Sequence, residues 1–134
     1  MIGRIPRRIA TALLDHARTE AGREICGVIA ARNGIPVACI PIANVSDHPA
    51  YRYCMDPAAF VRELYRMEAD GEELFAIYHS HPASPAAPSA IDIAEAGWPE
   101  ALYLIISLNT RGVLEMRGYH IGDGAAIEVP LEIE

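Results

Sequence analysis

Asn33-Gly34, set between the apolar runs Ile25–Ala31 and Ile35–Ile42, constrains the fold of this chain more than any other feature. A two-residue hairpin turn of the favoured type needs positive φ at both central residues, and Asn-Gly adopts that conformation at low cost. The pair therefore predicts an antiparallel hairpin. The first run is almost wholly apolar, which reads as a buried strand. Its partner carries Pro36 and Pro41 near its ends.

The remaining elements follow from periodicity and punctuation. Ile5, Ile9, Leu13 and Ala17 recur every four residues, so residues 6–20 read as an amphipathic helix that stops near Gly22. Residues 43–55 read as loop or irregular extended chain. Asp56 can cap the free N–H groups of a second helix, with Pro57 at its first position and an apolar stripe of Phe60, Val61, Leu64, Tyr65 and Met67. Asp70-Gly71 ends it. Leu74–His79 reads as a strand that Pro82 stops, and the prolines of 82–88 make a stiff loop. Ser89–Ala96 is a short helix closed by Gly97. Strands follow at Ala101–Leu108, Val113–Ile121 and Ala126–Leu131, joined by turns at Asn109–Gly112 and Gly122-Asp123-Gly124. The order α-β-β-α-β-α-β-β-β predicts a mixed α/β (α+β) sandwich, one sheet with helices packed on it. A length of 134 residues fits a single domain spanning 1–134.

Composition removes several function classes. Eleven basic residues, all arginine, against eighteen acidic ones give a formal charge of −7, a poor match to nucleic acid. No polybasic stretch favours anionic membranes, and no apolar run approaches the roughly 20 residues of a membrane-spanning helix. No signal-peptide core is visible. Three cysteines (Cys26, Cys39, Cys54) without C-x-x-C spacing fit a reducing, cytoplasmic setting.

The chemistry sits in Tyr78-His79-Ser80-His81-Pro82, followed after six residues by Ser89-Ala90-Ile91-Asp92. Histidines at i and i+2 of an extended segment point to one side and can grip one ion. Asp92 in the first turn of the returning helix would add a carboxylate. Two imidazoles and a carboxylate leave a fourth position for water, the pattern of a catalytic zinc site. Each fragment has a plainer reading. The histidine pair alone is compatible with no ligand at all. Ser89-x-x-Asp92 has the form of a helix capping box, and a carboxylate aimed at a metal is expected to leave its cap unbonded. His16, His48 and His120 stand alone and read as surface or satisfied positions. Trp98 reads as a packing residue, and Glu68, Asp70, Glu72 and Glu73 as a solvated helix end.

The combination resembles the JAMM signature of the catalytic MPN-domain metallopeptidases: a glutamate upstream, then His-x-His-Pro, about seven residues, and Ser-x-x-Asp. Glu24-Ile25-Cys26-Gly27-Val28-Ile29 looks like the upstream segment, and the resemblance extends through Asn44, Asp56-Pro57 and Tyr78. It implies an MPN/JAB-type domain, a central mixed sheet flanked by helices in a cytidine-deaminase-like sandwich. It also implies one Zn²⁺ per chain on His79, His81 and Asp92. Glu24 would act as general base then acid, and Ser89 as donor to the oxyanion. Ser80 faces away from the histidine side and receives no catalytic role. The His-x-Glu and Pro-Cys-x-x-Cys of zinc deaminases, the H-E-x-x-H of other metalloproteases and the Gly-x-Ser-x-Gly elbow are absent from the sequence.

The chain is close to the family's minimal core, which is similar to compact prokaryotic members acting on ubiquitin-like sulfur carriers. That implies hydrolysis of the amide after the C-terminal glycine of a small β-grasp protein ending in Gly-Gly. The bond would join it to a C-terminal extension or a cysteine. The tail would lie along a sheet edge. Two other readings stay open: a deubiquitinase-like isopeptidase of a bacterial or archaeal conjugation system, and a non-catalytic MPN scaffold.

Overall fold

The protein is seen in a computed structural model that describes residues 1–109 and 114–134. The elements are β1 (Gly3–Ile5), α1 (Arg7–Thr19), β2 (Cys26–Arg32), β3 (Ile35–Ile42), α2 (Pro57–Ala69) and β4 (Glu73–His81). They continue with α3 (Ala90–Glu95), β5 (Leu102–Ser107), β6 (Glu115–Gly122), β7 (Ala125–Val129) and β8 (Leu131–Ile133). Among the described residues, six strands form one mixed sheet in the order β3-β2-β4-β5-β6-β7, with only β4 and β5 parallel in it. A parallel pair needs a crossover. Here it is the 82–88 loop and α3.

Helices cover both faces, as the mixed sandwich requires. Ile9, Ala10, Leu13 and Ala17 of α1 pack with Ile29, Tyr78, Leu104 and Ile106 on one face. Met67 and Phe60 of α2 and Ile93 of α3 pack with Val28, Ile77, Tyr103 and Ile105 on the other. Alternation along β4 puts Tyr78 and Ser80 towards α1 and His79 and His81 towards α2 and α3.

The predicted hairpin is present, with Asn33 at φ 53° and Gly34 at φ 78°. Its ladder slips at Ala30/Ala31, where Pro36 stands opposite Ala31. A proline has no N–H for the ladder, and a bulge absorbs the mismatch. The β6–β7 turn also forms as expected, with Asp123 at φ 53° and Gly124 at φ 72°.

Several boundaries differ from the sequence reading. Ile5 lies in β1 rather than on the helix, which starts after Pro6. β4 runs two residues past His79, because Ser80 N–H bonds Ile25 O and His81 still pairs with Ser107 of β5. The last expected strand is two strands: Pro130 ends β7, and β8 leaves the sheet to pair in parallel with β1. On α2, Val61 and Tyr65 are 46% and 70% exposed, so the buried stripe is narrower than its periodicity. Glu72 is no solvated end; it is largely buried and paired with Arg32 and Arg66. Residues 110–112 of the expected Asn109–Gly112 turn, and the start of the following strand at Val113, fall outside the described residues.

Among the described residues, no helix is long and apolar enough to cross a membrane. Cys26, Cys39 and Cys54 are all free thiols.

Candidate metal centre

Three elements bring four side chains together at the C-terminal end of β4. His79 and His81 come from its last residues, Asp92 from the first turn of α3, and Glu24 from the residue ahead of Ile25 and β2. Cys26 pairs with His79 in the β2–β4 ladder, so the backbone register carries Glu24 to the histidines. All four are buried, and one ligand atom from each lies within 4.8 Å of the others.

His79 Nε2, His81 Nε2 and Asp92 Oδ2 form a near-equilateral triangle, each pair 3.1 Å apart. Zinc–nitrogen and zinc–oxygen bonds near 2.05 Å would set tetrahedral ligand atoms about 3.3 Å apart. The observed edges are close to that. His81 Nδ1 lies 2.7 Å from Pro85 O, a pure acceptor, so Nδ1 carries the proton and donates it. A neutral His81 then presents the bare lone pair of Nε2 to the centre, the tautomer of a metal ligand. A lone pair beside the Asp92 carboxylate at 3.1 Å needs a proton or a cation between them. Buried Glu24 Oε1 has no hydrogen-bond partner among the described residues. A donor set of two imidazoles and a carboxylate, with a free carboxylate beside it, fits a metal site.

Burial pushes the Glu24 carboxyl up to about 7, against the favourable pull of His81 and with the added repulsion of Asp92. Asp92 goes the other way. Burial opposes its ionisation, but with no metal bound a proton on the facing Nε2 of His79 or His81, together with the Ser89 N–H, outweighs it and holds the carboxyl well below the usual range. Burial lowers the basicity of His79. Two carboxylates 4.8 Å or less from shared neighbours thus have opposed preferences: Asp92 stays ionised, and Glu24 is poised near neutrality.

Ser89 is the N-cap of α3. Its Oγ accepts Asp92 N–H at 3.0 Å and its own N–H donates to Asp92 Oδ2 at 2.9 Å. The capping box and the convergent carboxylate are therefore one arrangement, contrary to the expectation that one excludes the other. Oδ2 faces both histidines while still bonding the cap. The Ser89 hydroxyl proton is not committed by either bond.

Three contributors carry no functional mark of their own in the sequence. The ring of Tyr53 stacks on His79, with centroids 4.4 Å apart and planes 24° apart. Ser80 Oγ accepts the Ile25 N–H at 2.9 Å. Asn44, which enters only through the family resemblance, bonds the Glu24 carbonyl. The Asn-x-Ser spacing of 44–46 is a recognisable side-chain turn; no local pattern marks Tyr53. The isolated histidines are satisfied elsewhere: His16 bonds Tyr78 OH, His48 stacks on Tyr51, and His120 contacts Met1 Sδ. Trp98 packs edge-on against Phe60 but stays 41% exposed.

Residues 6–118 match the prokaryotic homologues of the JAB domain. The chain is 35% identical over 127 residues to the CysO-cysteine peptidase of Mycobacterium tuberculosis, covering 93% of this chain and 86% of that protein. It is 38% identical over 106 residues to the desampylase of Haloferax volcanii, covering 75% and 76%. A solution structure of a Desulfitobacterium hafniense protein superposes with a TM-score of 0.86 at 28% identity, covering 100% of this chain and 93% of that one. The chain belongs to the prokaryotic JAB-domain family and is a peptidase of the JAMM type.

Proposed function

We propose that residues 1–134 act as one zinc peptidase domain. It cleaves the amide after the C-terminal glycine of a small ubiquitin-like β-grasp carrier ending in Gly-Gly, releasing a C-terminal extension or a cysteine. The observation that carries this reading is the triangle of His79, His81 and Asp92 ligand atoms beside the unpartnered, buried carboxylate of Glu24. The similarity to a CysO-cysteine peptidase favours a cysteine adduct, and the similarity to a desampylase favours a conjugate. The latter keeps a deubiquitinase-like isopeptidase as the second reading. Free thiols in all three cysteines support a cytoplasmic setting.

His79 Nε2, His81 Nε2 and Asp92 Oδ2 would hold one Zn²⁺ per chain. When bound, the ion supplies a Lewis acid for the scissile carbonyl and makes the attacking water more acidic. Glu24 takes the proton of that water as its oxygen bonds the carbonyl carbon. It then delivers the proton to the amide nitrogen as the C–N bond breaks, so the products are a carboxylic acid and a free amine, and the acid's proton passes to the amine or to solvent. Burial raises the Glu24 carboxyl, which favours its holding the proton between the two halves of that transfer. The Ser89 hydroxyl donates to the carbonyl oxygen as negative charge builds there.

The test is zinc per chain on purified protein, with hydrolysis of a β-grasp carrier bearing residues after Gly-Gly. About one zinc and cleavage after the second glycine are expected, both lost in a His79→Ala/His81→Ala variant. No zinc in either protein, after growth in adequate metal, would leave the non-catalytic scaffold.

A further inference from the structure

Asn44 lies on the loop after β3, outside the metal centre, yet its side chain is fully used. Nδ2 donates to Glu24 O at 2.9 Å and to Arg52 O at 3.1 Å. Oδ1 accepts Ser46 N–H and Cys54 N–H, each at 3.0 Å. Two N–H groups and two lone pairs exhaust the capacity of a primary amide. Carbonyls on one side and N–H groups on the other allow only one orientation of the group.

Of the four partners, Ser46 lies in the local turn of Asn44 itself. The other three are the main chain of Glu24 and the backbone on either side of Tyr53, at Arg52 and Cys54. Tyr53 in turn lays its ring on His79, and Arg52 pairs with Glu95 on the helix that carries Asp92. The segment 52–54 therefore touches one histidine and the helix of the carboxylate ligand, and reaches the main chain of the base through Asn44. Asn44 is the only side chain among the described residues that hydrogen-bonds both the Glu24 carbonyl and this segment. A backbone tie runs beside it: Glu24 N–H donates to Pro49 O at 2.6 Å, in the turn whose His48 O accepts the Arg52 N–H at 3.1 Å.

We infer that Asn44 is a positioning residue: where Glu24 leaves the β2–β4 ladder, it holds the base's main chain against the segment that lays Tyr53 over His79. This inference rests on the peptidase reading for its consequence in turnover. Asn44→Asp is the sharpest perturbation. It keeps the acceptor for Ser46 and Cys54 but sets an oxygen against the carbonyls of Glu24 and Arg52, cutting the tie to the base and one of the two ties to the 52–54 segment. A misplacement on the order of 1 Å lowers turnover about 100-fold.

The experiment compares wild type, Asn44→Asp, Asn44→Ser and Asp56→Ala. Asp56 caps α2 through Ala58 N–H, ends the same loop and bonds neither Glu24 nor the 52–54 segment, so it controls for stability. Zinc per chain, melting temperature, kcat and KM on a carrier fusion, and the visible absorption of the cobalt-substituted proteins are measured. Both Asn44 variants are expected to keep zinc and KM within about twofold, to lose about 10–100-fold in kcat, and to shift the cobalt absorption. Asp56→Ala is expected to melt earlier with kcat and the cobalt band unchanged. Equal kcat losses in Asn44 and Asp56 variants of matched stability would overturn the inference, as would unfolding of both Asn44 variants. If wild type cleaves no carrier fusion, the proposed function fails, and the cobalt spectra alone decide Asn44: an unchanged band overturns it.

Discussion

The hydroxyl of Ser80 accepts the main-chain N–H of Ile25 at 2.9 Å, so the residue between the two histidines holds the residue that follows the base. The β2–β4 ladder ends at Cys26↔His79. One step further, Ser80 N–H donates to Ile25 O at 3.0 Å while its side chain takes the returning N–H. A side chain thus closes the ladder where Glu24 leaves the sheet. Alternation correctly turns Ser80 away from the ligand face; its contribution is to position the chain.

Ser80 is fully buried, so Ser80→Ala leaves the Ile25 N–H without a partner. An unsatisfied buried donor costs about 1–3 kcal/mol. The expected outcome is a melting temperature lower by several degrees, with zinc still bound and turnover reduced. Ser80→Thr keeps the hydroxyl and should retain more stability than Ser80→Ala. Thermal melts of the three proteins check this, and a Ser80→Ala protein as stable as wild type would remove the role.

Asp92 serves the cap and the metal centre with one carboxylate, and two substitutions separate these tasks. Asp92→Asn keeps an oxygen that can accept the Ser89 N–H now bonded at 2.9 Å. It removes the negative charge that neutralises the cation. Asp92→Ala removes both. Zinc is expected to be lost from each. With metal stripped from all proteins, Asp92→Ala should melt earlier than Asp92→Asn by about 1 kcal/mol of stability, the typical worth of a cap. Metal analysis and melts in chelator measure the two effects apart. Full zinc in Asp92→Ala would leave the capping box as the whole purpose of Ser89-x-x-Asp92.

Glu24→Gln should keep zinc, since the three ligand atoms remain, and lose about 10²–10⁴ in turnover through loss of the proton carrier. The same substitution has a pH signature in the metal-free protein. Burial raises the Glu24 carboxyl from 4.5 to about 7 in the folded state. Below 4.5 it is protonated whether folded or not, and it costs nothing. Between 4.5 and 7 the unfolded chain ionises while the folded one retains its proton, so stability falls as pH rises. Above 7 the whole penalty is present. The neutral amide of the Glu24→Gln protein carries none of it. The variant should therefore match wild type near pH 4.5 and exceed it at pH 8 by on the order of 1–2 kcal/mol, allowing for solvent screening. Chemical denaturation across that range in chelator is the measurement; a difference independent of pH would contradict the burial of the charge.

What the sequence disclosed was what local geometry controls. Asn33 and Gly34 are legible because a two-residue turn depends on its own φ angles. His79 and His81 are legible because alternation is a property of one strand. The hidden parts depend on distant segments meeting. β1 and β8 are three residues each, too short for a period, and they pair in parallel from opposite ends of the chain. Helix periodicity gave the direction of the α2 stripe but not its width, which the neighbours set, so Val61 and Tyr65 stand exposed. Tyr53 reaches His79 only after the 43–55 loop folds back, and nothing in its own neighbourhood requires a ring there.

Gly27 marks a place where two strands and a tyrosine leave no room for a side chain. A Cβ there would lie 2.4 Å from both Ile40 O and the Tyr78 hydroxyl, and 2.5 Å from Tyr78 Cζ. Tyr78 is fully buried, and its hydroxyl lies 2.8 Å from His16 Nδ1. Gly27 pairs with Tyr78 one step from Cys26↔His79, so strain introduced here is felt beside a metal ligand. Overpacking of this kind costs about 1–3 kcal/mol. Gly27→Ala should therefore melt well below wild type and bind zinc more weakly. Tyr78→Phe removes the hydroxyl but neither Cζ nor the backbone carbonyl of Ile40, so it should not rescue Gly27→Ala. A double-mutant cycle in thermal melts measures this. Full rescue would mean that the hydroxyl alone excludes the side chain, whereas persistence of the loss assigns the exclusion to the close approach of the β2 and β3 backbones.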